Sequence, residues 1–258
     1  YTTNQASINF DDALDNQIIF YRIGIDTGDY TSGTPTVTLT HPGGGIAGVG
    51  RVTGYTSTTV VNIAILDHMG QTTATADWSE GTWSYKRGWP TSVAFYEGRL
   101  GWAGKDKIIL SVSDAFESFD DETTGESAPI NRSLGSGPVS FINWMLPVQR
   151  LLIGTQDSET SIRSTTLDEA LTATNFNIKQ ASTQGSDRIA AVKLDSQGIF
   201  VQRSGLKAYV LKFELTANDY QLGDLTILTP DIGTPGFVQI AVQRQPDTRV
   251  HFLRSDGT

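Results

Sequence analysis

Cysteine is missing from this sequence, which removes disulfides, thiolate nucleophiles and Cys-ligated zinc or iron without indicating a compartment. Histidine is scarce: His41, His68 and His251 are the three in the chain. They lie far apart and none has a partner at metal-ligand spacing such as HExxH, so each reads as a turn or surface residue. No apolar run approaches the ~20 residues of a membrane helix, and no basic stretch leads into an apolar one near the start, so neither a span nor a signal peptide is visible. Helical periodicity is lacking as well, since no segment keeps an i, i+3, i+4, i+7 stripe for three turns. Asp114–Phe119 and Leu167–Leu171 are the best candidates for short helical turns. Basic charge is in deficit, with 19 Lys and Arg against 28 Asp and Glu and a net charge of −9. That balance argues against a protein whose main task is gripping phosphate backbones.

What remains is glycine, threonine and alternation. The 258 residues include 26 Gly, and 38% are hydrophobic; apolar residues alternate with Thr, Ser and Gln, the period of half-buried strands. The fold class is therefore all-β. Residues 1–86 read as a small Thr- and Gly-rich module, a little β-barrel or β-sandwich. Its strand patterns are Thr36–Thr40, Gly50–Tyr55 and Thr59–Leu66, with His41-Pro42-Gly43-Gly44-Gly45 turning between the first two.

Residues 87–258 repeat one plan. Ser92–Gly104, Phe141–Gly154, Ile189–Ser204 and Val238–Gly257 each carry a strand pattern, a polar turn and a second strand pattern. The second strands begin near Arg99, Arg150, Gly198 and Arg249, at intervals of about fifty residues, and strands at that period suggest propeller blades. Further hairpin partners follow: Lys107–Val112 across Lys105-Asp106, Thr160–Arg163 across Gln156–Glu159, and Lys207–Leu211 across Arg203–Gly205. Three units and part of a fourth are too few to close most propellers, so the expectation is an incomplete propeller. The first residue is not Met, and Arg254–Thr258 reads as a strand entering a turn, so a longer parent chain, truncated here at its C-terminus, is expected.

Candidate sites each have a plainer reading. Gly43-Gly44-Gly45-Ile46-Ala47-Gly48 matches GxGxxG, but a strand pattern follows where a dinucleotide site needs a helix, and a turn is favoured. Asp114, Glu117, Asp120, Asp121, Glu122 and Glu126 could hold calcium or supply paired carboxylates for glycoside hydrolysis. They lack the spacing of a calcium loop, as does Asp26-Thr27-Gly28-Asp29, and a solvated loop is favoured. Ser79-Glu80-Gly81-Thr82-Trp83 resembles the Asp-box of sialidase-like propellers without its Asp. The five tryptophans, Trp78, Trp83, Trp89, Trp102 and Trp144, could line a sugar-binding groove or stack on bases; for Trp83, Trp89 and Trp102 the core between blades is favoured, and Trp78 is the most open to another role. No catalytic, cofactor-binding or metal-ligating residue is assigned.

Several stretches resemble a phage and prophage tail family similar to the tail nozzle proteins (tail tubular protein B type) of short-tailed phages. These are Ala76–Ser84, Arg87-Gly88-Trp89-Pro90 with Ser92–Leu100, Ser111–Phe116 with Phe119-Asp120, Leu151–Thr155 and Gln243–Thr248. The resemblance spans about residues 20–258, and RGWP…F…GRL is its most specific block. It implies a virion structural protein and no enzyme: a β-propeller decorated by small inserted β modules, of which residues 1–86 would be one. It implies a homo-oligomeric ring with other tail proteins around the DNA exit channel, made in the bacterial cytoplasm, with DNA passing transiently and without sequence preference. The alternative is a carbohydrate-binding or polysaccharide-degrading propeller of a phage tail or secreted protein.

Overall fold

The computed structural model describes residues 36–39, 48–57, 60–67, 78–80, 82–83, 88–119, 123–135, 140–165 and 169–258. Among them the chain is all-β, with one 3-10 turn at Pro230–Gly233 and no α-helix. No helix among them is long and apolar enough to cross a membrane. The chain divides into two compact units, Tyr1–Trp89 and Pro90–Thr258.

In the first unit, β1 (Thr36–Leu39), β2 (Gly48–Ser57), β3 (Val60–Asp67) and β4 (Trp78–Glu80) form one antiparallel sheet in the order β3-β2-β1-β4. The alternation that marks these strands also sorts their faces: Val52 is buried between exposed Arg51 and Thr53, and half-buried Ile63 and Ile65 alternate with exposed Asn62, Ala64 and Leu66. Pairing slips at three places along β2 and β3, among them Thr53, which has no partner opposite it; such bulges sharpen strand twist. The described strands close no barrel. They form an open sheet whose edges, β3 and β4, pair with nothing further among the described residues.

The second unit is a series of meanders. Sheet one runs β5 (Ser92–Tyr96), β6 (Arg99–Gly104), β7 (Lys107–Leu110), β8 (Ile130–Ser133); sheet two runs β9 (Ile142–Pro147), β10 (Leu151–Thr155), β11 (Glu159–Arg163), β12 (Asn177–Ser182). Sheet three runs β13 (Val192–Leu194), β14 (Gln197–Val201), β15 (Ala208–Glu214), β16 (Asp219–Asp224), and β17 (Phe237–Gln243) with β18 (Arg249–Arg254) closes the series as a hairpin. Every neighbouring pair is antiparallel; short turns join most of them, and longer connections lead into β8 and β12. The β5–β6 turn places Glu97 and Gly98 at φ of 44° and 70°, two positive values as a two-residue hairpin loop requires.

Packing follows from the two-residue period. In β10 every residue is buried: Leu151 and Ile153 face a core shared with Ile108, Leu110 and Ile130 of sheet one. Leu152 points the other way, into a core with Phe200, Tyr209 and Leu211 of sheet three. A bulge opposite Gly154 and Thr155 leaves Asn143 unpaired and brings Ile142 into the same core as Met145. A third core joins Val201 and Ala208 to Phe237 and Ile240 of the hairpin. The first strands lie side by side, β5 against β9, β9 against β13 and β13 against β17, and the last strands β12 and β16 also meet. Gly154 permits the closest approach: a Cβ there would stand 2.1 Å from Cε2 of Trp144.

The tryptophan expectations are corrected here. Trp144 is the buried one, at 2% exposure, whereas Trp89 is 51% exposed and Trp83 and Trp102 are half-buried. The reason is which faces meet another sheet. Trp102 lies opposite Val93 and Ile109, on the face of sheet one turned away from sheet two, while Trp144 lies between two sheets. Asp114–Phe119 is also no helix. Asp114 takes a φ of 58°, and Ala115 and Ser118 donate their N–H groups to the carbonyls of Val112 and Ala115, making tight turns.

Candidate functional site

Two of the arginines that open second strands in the repeat are buried. Burial of so hydrated a group requires that its fixed fork of donors be met. Arg99, directly after the β5–β6 turn, meets this with carbonyls: Nη1 donates to Ser111 and Ala128 at 2.7 Å each, and Nη2 to Glu126 at 2.6 Å. These carbonyls belong to the long connection from β7 to β8, so Arg99 fastens that loop to its own sheet. Burial lowers its pKa from the ordinary arginine value, opposed by Asp114 and Glu97.

Arg150, in the turn before β10, reaches across to sheet three. Its Nη1 donates to Oδ1 of Asp219 at 3.3 Å and its Nη2 to Oδ1 of Asn218 at 2.8 Å, while the guanidinium lies 4.8 Å from the ring centroid of Phe213. Asp219 also takes Nζ of Lys179 at 2.8 Å, the Ser161 hydroxyl at 3.0 Å and the Tyr220 N–H at 2.8 Å. Burial alone would raise the Asp219 carboxyl, but those donors outweigh it and hold the group below the usual carboxylate range. The buried carboxylate thus joins β11 and β12 of sheet two to the β15–β16 turn of sheet three.

Beside this clasp opens a small crevice of about 60 Å³, lined among others by Tyr96, Glu97, Arg150, Arg163, Glu169 and Phe213. Burial, followed by Glu97, pushes the Tyr96 hydroxyl up. Arg163 has a buried Nε with no hydrogen-bond partner, and its charge lowers the pKa of Arg150 further after burial. The two carboxylates position the chain that follows β11: Glu97 accepts the Leu171 N–H and Glu169 the Asn175 side-chain amide, both at 2.7 Å. A third, Glu159, is fully buried. It accepts the hydroxyls of Ser186, at 2.7 Å, and Ser182, and burial pushes its pKa up against the pull of these donors and the backbone at Gln184 and Gly185.

The residues singled out from sequence are not brought together here. Asp114 and Glu117 are exposed in the β7–β8 connection, and Asp120, Asp121 and Glu122 lie outside the described residues, as do His41, His68, Asp26–Asp29 and Gly43–Ala47. Gly48, the last glycine of that pattern, pairs with Leu39 as the first residue of β2. His251 is an exposed strand residue whose Nε2 lies 2.9 Å from Oε1 of Gln243. Trp78–Glu80 pairs with β1. Leu167 lies outside the described residues, and Leu171 belongs to a core without helix. Among the described residues no three His, Cys, Asp or Glu side chains gather as metal ligands. The buried ionic groups, Arg99, Arg150, Glu159 and Asp219, escaped sequence reasoning. One signal was available: an arginine recurs at the same strand start in three of the four repeated units, as Arg99, Arg150 and Arg249.

No family model matches the chain, and no curated protein matches it.

Proposed function

We propose that this chain is a structural component of a phage or prophage tail, part of a nozzle or hub ring around the DNA exit channel, with no catalytic role. The three meanders and the hairpin are blades of a β-propeller, and residues 1–86 are a small inserted module. The observation that carries this reading is the stacking of consecutive meanders with their first strands side by side, as the inner strands of blades lie. The spending of buried charge agrees with it: Arg99, Arg150 and Asp219 hold loops and sheets together. An acidic chain also suits a wall past which DNA slides without sticking, through repulsion of phosphate.

The test is to look for the protein in purified particles from its host by mass spectrometry and gold labelling. The reading expects it at the tail tip; presence only in the medium, free of particles, overturns it. A second reading is favoured by the Glu97 and Glu169 carboxylates lining one crevice with Tyr96 and Phe213, since paired carboxylates beside aromatic rings suit glycan hydrolysis. It expects oligosaccharide release from bacterial surface polysaccharide that E97Q and E169Q each abolish, whereas the structural reading expects no release from the unaltered chain.

A further inference from the structure

Arg99 and Arg150 meet their buried donors with backbone carbonyls, a carboxylate and a side-chain amide. Arg163, the last residue of β11, leaves one unmet: its Nε is buried and has no hydrogen-bond partner. A buried donor without an acceptor is costly, and more so on a charged group. Arg163 lines the crevice of about 60 Å³ beside the clasp, as does the buried guanidinium of Arg150. Two cations therefore face one small space, and the charge of Arg163 opposes that of Arg150. Tyr96 and Gln149 bring further donor-bearing side chains to the wall, and Phe213 an apolar ring.

The chemistry of this wall selects a ligand. Nε and one Nη of an arginine make a side-on fork that matches the two oxygens of a carboxylate. Glu97 and Glu169 are exposed at the same crevice, and their charge opposes a dianion more than a monoanion, which disfavours sulfate and phosphate. The space equals the share of about two waters, enough for the head of a small acid. We propose that the crevice binds a carboxylate group, that of a small free acid or of an acidic side chain, with Arg163 Nε as its principal donor and Arg150 as the second cation. The bound group does what Asp219 does beside it. Tyr96 belongs to sheet one, Arg163 to sheet two and Phe213 to sheet three, so a carboxylate among them acts as a removable fastener of the stack. The inference goes beyond both readings above and rests on neither, since neither a wall nor a hydrolase requires it.

The test follows the Arg163 Nε–H resonance of the full chain by NMR while acetate replaces chloride at constant ionic strength. A ligand of so few atoms binds with a Kd of about 1 mM, so the titration runs to about 20 mM. A saturable shift is expected, and none with acetamide, the neutral isostere. Saturating acetate should also raise the urea midpoint, because it binds the folded chain alone. Arg163→Lys keeps the charge and removes the fork, so by that midpoint it should weaken acetate about tenfold. Arg203→Lys, in an exposed ion pair, should leave acetate binding unchanged. Should R163K fail to fold, the Nε–H resonance of the unaltered chain, assigned through bonds, decides alone. A capped glycyl-aspartyl-glycine separates the sources: binding tighter than acetate assigns the group to an acidic side chain, weaker binding to a free acid. No saturable shift, an equal shift with acetamide, sulfate binding as tightly as acetate, or unchanged acetate binding in folded R163K overturns the proposal.

Discussion

Sheets one and two share a strand plan and differ in what their faces meet. Sheet two is covered on both sides, and β10, a continuous apolar run, sends Leu151 and Ile153 one way and Leu152 the other. Sheet one packs on another sheet on one side only; on its other face Phe95 and Val93 stand out, while Ile109 on that face is buried. An apolar residue in this protein therefore stabilises the chain according to its place in the stack, not according to its hydrophobicity. The same contrast separates the arginines. Arg99 and Arg150 are buried fasteners, whereas Arg249, at the matching place in the closing hairpin, is exposed and pairs with Asp247.

The sharpest break of this comparison is a pair of truncations measured by urea unfolding. Phe200→Ala, in the core between sheets two and three, should cost about 3–5 kcal/mol as a cavity-forming change. Phe95→Ala in the single chain should stay within about 0.5 kcal/mol, as exposed positions do; similar losses at both sites would dissolve the distinction. Next comes Arg150→Met, which leaves Asp219 with Lys179 as its one remaining cation, and a loss of about 3 kcal/mol is expected for breaking a buried pair. Arg203→Ala removes an ion pair with Asp157 in which both side chains are more than half exposed, and a change below about 1 kcal/mol is expected.

The smallest effect is a pH dependence with a defined sign. Asp219 has a folded pKa below its ordinary value, so the stability it contributes is present above the unfolded carboxylate pKa and is lost as pH falls through the folded one. Acid titration of the unfolding free energy should show a decline at the low end of the carboxylate range that Asp219→Asn flattens. Glu159 acts in the opposite direction: its raised pKa makes the folded state bind a proton more readily, so its contribution declines as pH rises from the unfolded to the folded value. Glu159→Gln should remove that slope.

Much of the strand plan was legible. Alternation and short polar turns marked β1 to β3, β5 to β7, β9 to β11, β13 to β15, β17 and β18, because the period of a strand and the chemistry of a tight hairpin are both local. The last strands of the sheets, β8 (INRS), β12 (NIKQAS) and β16 (DYQLGD), were not marked. They are polar, partly exposed edges, and long connections precede β8 and β12, so no local pattern demands a strand there. Which tryptophan is buried was likewise hidden: Trp102 and Trp144 both sit within strands, and only the position of the neighbouring sheet separates them. The clasps were illegible for the same reason. Arg150 and Asp219 lie far apart in the chain, and their meeting depends on how sheets two and three stack. The module at 36–80 shows a related limit, since alternation reveals strands but not whether their sheet closes.

Hydrogen–deuterium exchange on the dilute, unaltered chain tests the stack most directly, because amide protection follows the free energy of local opening. The account predicts the slowest exchange in β9–β11 and β14–β15, whose faces are covered on both sides, with β5 and β6 exchanging measurably faster. Protection of β5 and β6 equal to or above that of β10 in the single chain would contradict it.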